Sequence, residues 1–219
     1  MEKKHIYCIS GLGADFRIFS QLKIDGAALH PITWEMPERG EDLAHYAQKL
    51  SSQIVHEDPL LIGVSFGGML TTEIAKQIPV RKAFIISSCK RRRELPTYMR
   101  AAGRVGMHKL VPYWLVTQHK QLNRFIFDVR SHAEELYLKQ MMLKDTQVDF
   151  IKRSVNMILH WKNEECPHNL VHIHGDCDKL LLPGGVHADY WVKGGGHFMV
   201  WNMAAQISEI INQELAGVP

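Results

Sequence analysis

The sequence predicts an α/β protein: a mainly parallel sheet flanked by helices, with one all-helical insertion. Three observations predict it. Short apolar runs alternate with segments of helical periodicity, the pattern of strands joined through crossover helices. That alternation stops between Cys89 and about Pro167, where no convincing strand occurs, and then resumes. Finally, the apolar run Leu61-Ile62-Gly63-Val64 passes directly into Ser65-Phe66-Gly67-Gly68-Met69-Leu70, so a strand turns into a helix at a single serine.

Residues 6–10 read as the first strand, 14–22 as a short helix and 31–36 as a second strand. Residues 41–56 carry Leu43, Tyr46, Ala47, Leu50 and Ile54 on one stripe and read as an amphipathic helix. Residues 60–64 form the next strand. The helix after it has Leu70, Ile74 and Ile78 in register and stops at Pro79. Residues 82–88 read as a buried strand. Within the insertion, Ser131-His132-Ala133-Glu134 is a capping box, and a second helix is expected from about Val148 to Trp161. Leu170 to Gly175 and Ala188 to Val192 are the late strands. A last helix carries Val200, Met203, Ala204, Ile207, Ile210 and Ile211.

The 219 residues suffice for one well-filled domain. The apolar runs are strand-sized, so no stable membrane insertion is expected. A net charge of +3 is too small to argue for a nucleic-acid partner. Cys8, Cys89, Cys166 and Cys177 follow no secretion-type leader, which reads as reduced thiols in a cytoplasm.

The chemistry gathers around Ser65. In Gly63-Val64-Ser65-Phe66-Gly67 the glycines let strand and helix pass closely, and the sharp turn holds the hydroxyl clear of the sheet. Such a nucleophile needs a base and a group that orients the base. Asp176 and Asp178 follow a late strand, and Gly194-Gly195-Gly196-His197 follows the last one. The loop Ser10-Gly11-Leu12-Gly13 follows the first strand and offers backbone amides to an oxyanion.

On these residues the chain resembles the α/β-hydrolase superfamily, over essentially its whole length. The resemblance implies a small, N-terminally trimmed core at 1–89 and 168–219 and a helical cap at about 90–167. It implies a catalytic triad of Ser65, Asp178 and His197, since Gly175-Asp176-Cys177-Asp178 matches the superfamily spacing; Asp176 is the runner-up and shapes the turn. It implies an oxyanion hole from the Leu12 and Phe66 amides, with Ser10 standing where relatives often carry histidine. Gly11, Phe198, Trp114 and Trp161 are candidates for substrate contact. The start Gly11-Leu12-Gly13-Ala14-Asp15-Phe16-Arg17-Ile18-Phe19 and the finish Gly195-Gly196-His197-Phe198-Met199-Val200 look like a group of small bacterial hydrolases without an assigned substrate. The implied activity is hydrolysis of a carboxylic ester or thioester, with no cofactor and no metal. The alternatives are a C–C hydrolase or lyase using the same triad, or a non-catalytic ligand-binding protein of the same fold.

Four other features compete for attention. Gly11-Leu12-Gly13 with Glu35 imitates a dinucleotide site, but Phe16 occupies the third glycine position, where helix and strand must pack closely. Cys166, His168, His172, His174 and Cys177 imitate a zinc cluster, yet read better as a core strand flanked by thiols. Ten Lys and Arg against Glu94 and Asp128 over residues 90–130 read as a solvated basic face, or else as a surface that draws in anionic substrates or membrane headgroups. His187 is a second candidate base, but it precedes the last strand.

Overall fold

In the computed structural model, residues 3–105, 128–129, 131–141 and 148–217 are described. Six strands form one wholly parallel sheet: β1 (Lys4–Ile9), β2 (Ala27–Pro31), β3 (Leu60–Val64), β4 (Lys82–Ile86), β5 (Leu170–Gly175) and β6 (Tyr190–Val192). Their order is β2-β1-β3-β4-β5-β6. The chain therefore moves outward in one direction from β1 to β2 and in the other from β3 onward. Parallel sheets of this kind leave a crevice beyond the carboxyl ends of the strands where the order reverses, here between β1 and β3.

The central strands are continuous apolar runs because helices cover both their faces. On one face α1 (Leu43–Ser51) and α2 (Phe66–Gln77) pack over Tyr7, Ile9, Leu61, Ala83 and Ile85. On the other, α6 (Met199–Asn202) and α7 (Ala204–Ala216) cover Ile6, Ile62, Phe84, Ile86 and Ile173. Each such leucine, isoleucine or phenylalanine, buried fully, contributes roughly 1.5–3 kcal/mol. The sheet is thus a rigid floor for whatever its loops carry.

Between β4 and β5 the described residues hold α3 (Thr97–Val105), α4 (His132–Met141) and α5 (Val148–His160), and no strand. Ser131 accepts the Glu134 amide at 3.1 Å, as a capping serine should. The two ends of this insertion are stitched together. The Arg92 amide donates to the Asn163 carbonyl at 2.6 Å, and the Asn163 side chain donates to the Lys90 carbonyl at 2.9 Å. The basic run takes part in this neck. Arg91 and Arg92 donate to the carbonyls of Glu164 and Trp161, Arg93 lies 3.9 Å from Glu164, and the buried Lys90 lies 3.6 Å from Asp189. Lys109, Lys120 and Arg124 lie outside the described residues.

Three elements differ from the sequence-based expectation. The second strand is Ala27–Pro31, not 31–36. Pro31 has no amide to donate, and only Ile32 continues the ladder, to the Cys8 carbonyl, before Trp34 turns over the carboxyl end of β1. The segment 14–22 holds only a single 3₁₀ turn, Phe16–Phe19, capped by Asp15. The final helix breaks at Met203 into α6 and α7. Among the described residues no helix is long and apolar enough to cross a membrane.

Candidate active site

Ser65 closes β3 and opens α2 with φ 55° and ψ −119°, a conformation that costs a residue with a side chain on the order of 1–3 kcal/mol. Its surroundings overdetermine it. The Ser65 amide donates to Ile86, and its carbonyl accepts the Gly68 amide at 2.9 Å and the Ser88 hydroxyl at 2.6 Å. Both flanking glycines are sterically required. A Cβ on Gly63 would collide with Thr71 and the Gly67 carbonyl, and one on Gly67 with the carbonyls of Ile9 and Ser10. The helix therefore starts in contact with β1, and Ser65 projects at the crevice.

The β5–β6 turn and the loop after β6 meet it there. His197 Nε2 lies 2.9 Å from Ser65 Oγ, and His197 Nδ1 lies 2.8 Å from Asp178 Oδ2. The other Asp178 oxygen accepts the amides of Leu180 and Leu181, each at 2.9 Å. Both Asp178 and His197 are buried. Burial alone would raise the Asp178 pKa. The attraction and hydrogen bond of His197, aided by His174 and the Leu181 amide, outweigh it and hold the carboxyl below the ordinary carboxylate range. An ionised carboxylate can only accept, so the proton of a neutral His197 sits on Nδ1 and Nε2 is left to accept from the serine hydroxyl.

The two aspartates have separate tasks in this geometry. Asp176 accepts the Gly194 amide at 2.6 Å and so pins the glycine loop that carries His197. That loop is also clasped by backbone: the Cys177 amide donates to Gly195, and a Cβ on Gly175 would strike the Gly195 carbonyl. His187, on the exposed stretch before β6, is not part of the Ser65 hydrogen-bond line.

The loop after β1 runs beside the serine. A Cβ on Gly11 would lie 3.5 Å from Ser65 Cβ, which brings Leu12 next to the elbow. Ser10 supports this loop by donating to the Ala14 carbonyl at 2.8 Å while accepting the Trp34 indole N–H at 3.1 Å. The sequence reading passed over Trp34, which also stacks on Phe66 with centroids 5.6 Å apart and meets Phe150 of α5 edge-on. Its signal was an aromatic residue with a polar tip just beyond a strand. His174, considered in the sequence only as part of a zinc look-alike, also supports the site: its Nε2 donates to the Leu181 carbonyl at 2.9 Å and lies 3.7 Å from Asp178.

Of the candidate substrate contacts, Gly11 adjoins Ser65. Phe198 is buried in the core against Trp201, and Trp161 is buried with its indole N–H on Glu73 at 2.7 Å. Trp114 lies outside the described residues. The dinucleotide look-alike lacks its helix, since a single 3₁₀ turn follows Gly13, and Glu35 faces Lys49 at 3.3 Å. Cys166, His168, His172, His174 and Cys177 do not converge: among the described residues the one convergent group of potential metal ligands lies elsewhere.

This architecture is the α/β-hydrolase fold, as the sequence led us to expect. A lipase-esterase related protein from Clostridium acetobutylicum superposes with a TM-score of 0.69 at 17% identity, covering 96% of this chain and 93% of that one. The type II thioesterase BorB of the borrelidin biosynthetic cluster gives 0.66 at 17% identity, with 97% and 93% covered. Est816, an N-acyl homoserine lactone degrading enzyme, gives 0.68 at 14% identity, with 97% and 93% covered. No family model matches the sequence, and no curated protein matches it.

Proposed function

We propose that this protein is a serine hydrolase that cleaves a carboxylic ester or thioester of small to medium size through an acyl-enzyme. The observation that carries this reading is the continuous line from Asp178 through His197 to Ser65, with contacts of 2.8 and 2.9 Å. The neighbours in fold act in the same chemical direction, as an esterase-related protein, a thioesterase and a lactone-degrading enzyme.

In this reading Ser65 Oγ attacks the acyl carbon while its proton passes to His197 Nε2. Asp178 stabilises the imidazolium that forms and keeps the ring oriented. The amides of Leu12 and Phe66 receive the oxyanion. His197 returns the proton to the leaving alcohol or thiol, then takes one from the water that attacks the acyl-serine and gives it to Ser65 Oγ as the acid leaves. Every proton is accounted for by these groups and water, so the chemistry calls for no cofactor. In this reading the described helices of the β4–β5 insertion, α3, α4 and α5, belong to a cap over the site.

A fluorophosphonate probe, followed by a panel of aryl esters and acyl thioesters of increasing chain length, tests this. We expect labelling at Ser65 that Ser65→Ala abolishes, and turnover of at least one acyl series. Failure to label the wild-type serine would overturn the reading in favour of a ligand-binding protein.

A further inference from the structure

At the opposite end of the sheet, three histidines from three separate segments meet. His5 lies near the start of β1, His30 near the end of the edge strand β2, and His56 in the stretch leading from α1 to β3. Parallel register puts Tyr7 beside His30, and His5 shares the face of Tyr7 two residues back. His5 Nδ1 lies 2.9 Å from His30 Nε2, and the His5 and His56 rings stack with centroids 3.5 Å apart. One nitrogen from each of the three falls within 4.8 Å of the others. All three are partly exposed, so a solvated ion can reach them.

We propose that His5, His30 and His56 form a binding site for a divalent transition-metal ion, zinc foremost, that ties the edge strand to the body of the sheet. Imidazole nitrogen suits zinc, and tetrahedral bonds of about 2.0–2.1 Å place ligand nitrogens roughly 3.3 Å apart. The nitrogens therefore need only close by about 1.5 Å at most, through side-chain rotation, with water as the fourth ligand. A ligating histidine usually donates its second ring N–H to an outer oxygen. Tyr7 stands ready for that role, its hydroxyl 2.7 Å from His56 Nδ1 and fixed in place by the Val55 amide at 3.0 Å.

The site is separate from the chemistry at Ser65. His5 precedes Ile6, the register partner of Leu60, and Ser65 follows Val64. Tyr7 pairs with both His30 and Leu61, so His5 stands about six residues and His30 about four residues below Ser65 along the strands, roughly 20 Å and 13 Å. The metal is accordingly a structural tie, not a Lewis acid for the hydrolytic reaction.

The experiment is calorimetric titration of ZnCl₂ into untagged, metal-stripped protein, with thermal melting in parallel. We expect one zinc per chain and a rise in Tm of about 5 °C or more at a zinc concentration a hundredfold above Kd. His30→Ala and His56→Ala should each weaken binding at least tenfold and remove the shift. Cys166→Ser with Cys177→Ser should leave both unchanged. No zinc binding at tens of micromolar would overturn the proposal, as would equal binding by wild type and the histidine variants. His56 lies in a loop, so its variant keeps the test valid even where His30→Ala disturbs the edge strand.

Discussion

The two ends of the sheet use histidine in opposite ways. At the carboxyl end His197 stands between an ionised carboxylate and a hydroxyl, 2.8 Å from Asp178 and 2.9 Å from Ser65. At the amino end His5, His30 and His56 face one another and a tyrosine. The ring is the same, and its partners decide what it can do. A carboxylate fixes the tautomer and welcomes the imidazolium, which suits a base that must gain and lose a proton. Clustered imidazoles bring ring nitrogens from three segments together, which suits a metal. A residue type read from sequence therefore says less about function than the charge placed beside it.

Breaking the carboxyl-end arrangement should have the largest effect. Ser65→Ala and His197→Ala should each lower kcat for an acyl substrate by about 10³-fold or more, because nucleophile and base act as a unit. Folding should persist, as judged by circular dichroism and cooperative melting. Near wild-type turnover in either variant would remove Ser65 or His197 from the mechanism.

Removing only the charge sharpens the contrast. Asp178→Asn leaves the shape but gives His197 a partner resembling the uncharged ones at the amino end. A loss of about 10³–10⁴ in kcat is expected, since the imidazolium loses its counter-charge and the ring can settle in the wrong tautomer. Asp176→Asn should stay within about tenfold of wild type, because its carboxylate accepts the Gly194 amide beneath the loop and not the His197 ring. The opposite ranking, measured as kcat/KM on one ester, would reassign the acid to Asp176.

The carboxyl end was far more legible in the sequence than the amino end, and the reason is physical. Gly63, Ser65 and Gly67 are adjacent in sequence because a single turn must hold them, so steric necessity writes them as one motif. Asp178 and His197 lie at strand ends whose order the fold dictates. His5, His30 and His56 belong to three segments whose meeting depends on strand register, which local pattern does not encode. Trp34 was missed for a related reason: Pro31 ends the edge strand early and turns the indole onto Ser10 and Phe66. The basic run after Cys89 looked like a solvated face. Part of it is spent instead on the carbonyls of Trp161 and Glu164, acceptors that only the return of the chain supplies.

A third kind of histidine completes the comparison. His172 in β5 is fully buried, and its ring nitrogens make no hydrogen bond of good geometry. It meets His174 edge-on with centroids 5.2 Å apart. Burial above all, with His174 and Lys90 adding to it, pushes its pKa well below the ordinary histidine value. In the unfolded chain it returns to about 6.5. Below that pH the unfolded state binds a proton that the folded state refuses. Stability is therefore full above pH 6.5 and declines as the pH falls toward the folded pKa. One such proton gives a slope of at most about 1.4 kcal/mol per pH unit. His174, lowered for the same first reason, adds to the decline. Urea melts at pH 7.5 and 5.5 should show wild type losing stability on acidification, and His172→Leu losing less by up to that amount. At pH 7.5 the variant should match or exceed wild type, because it removes buried nitrogens without good partners and keeps a similar volume. An unchanged pH dependence in His172→Leu would mean that His172 is protonated in the folded protein and that its burial is compensated.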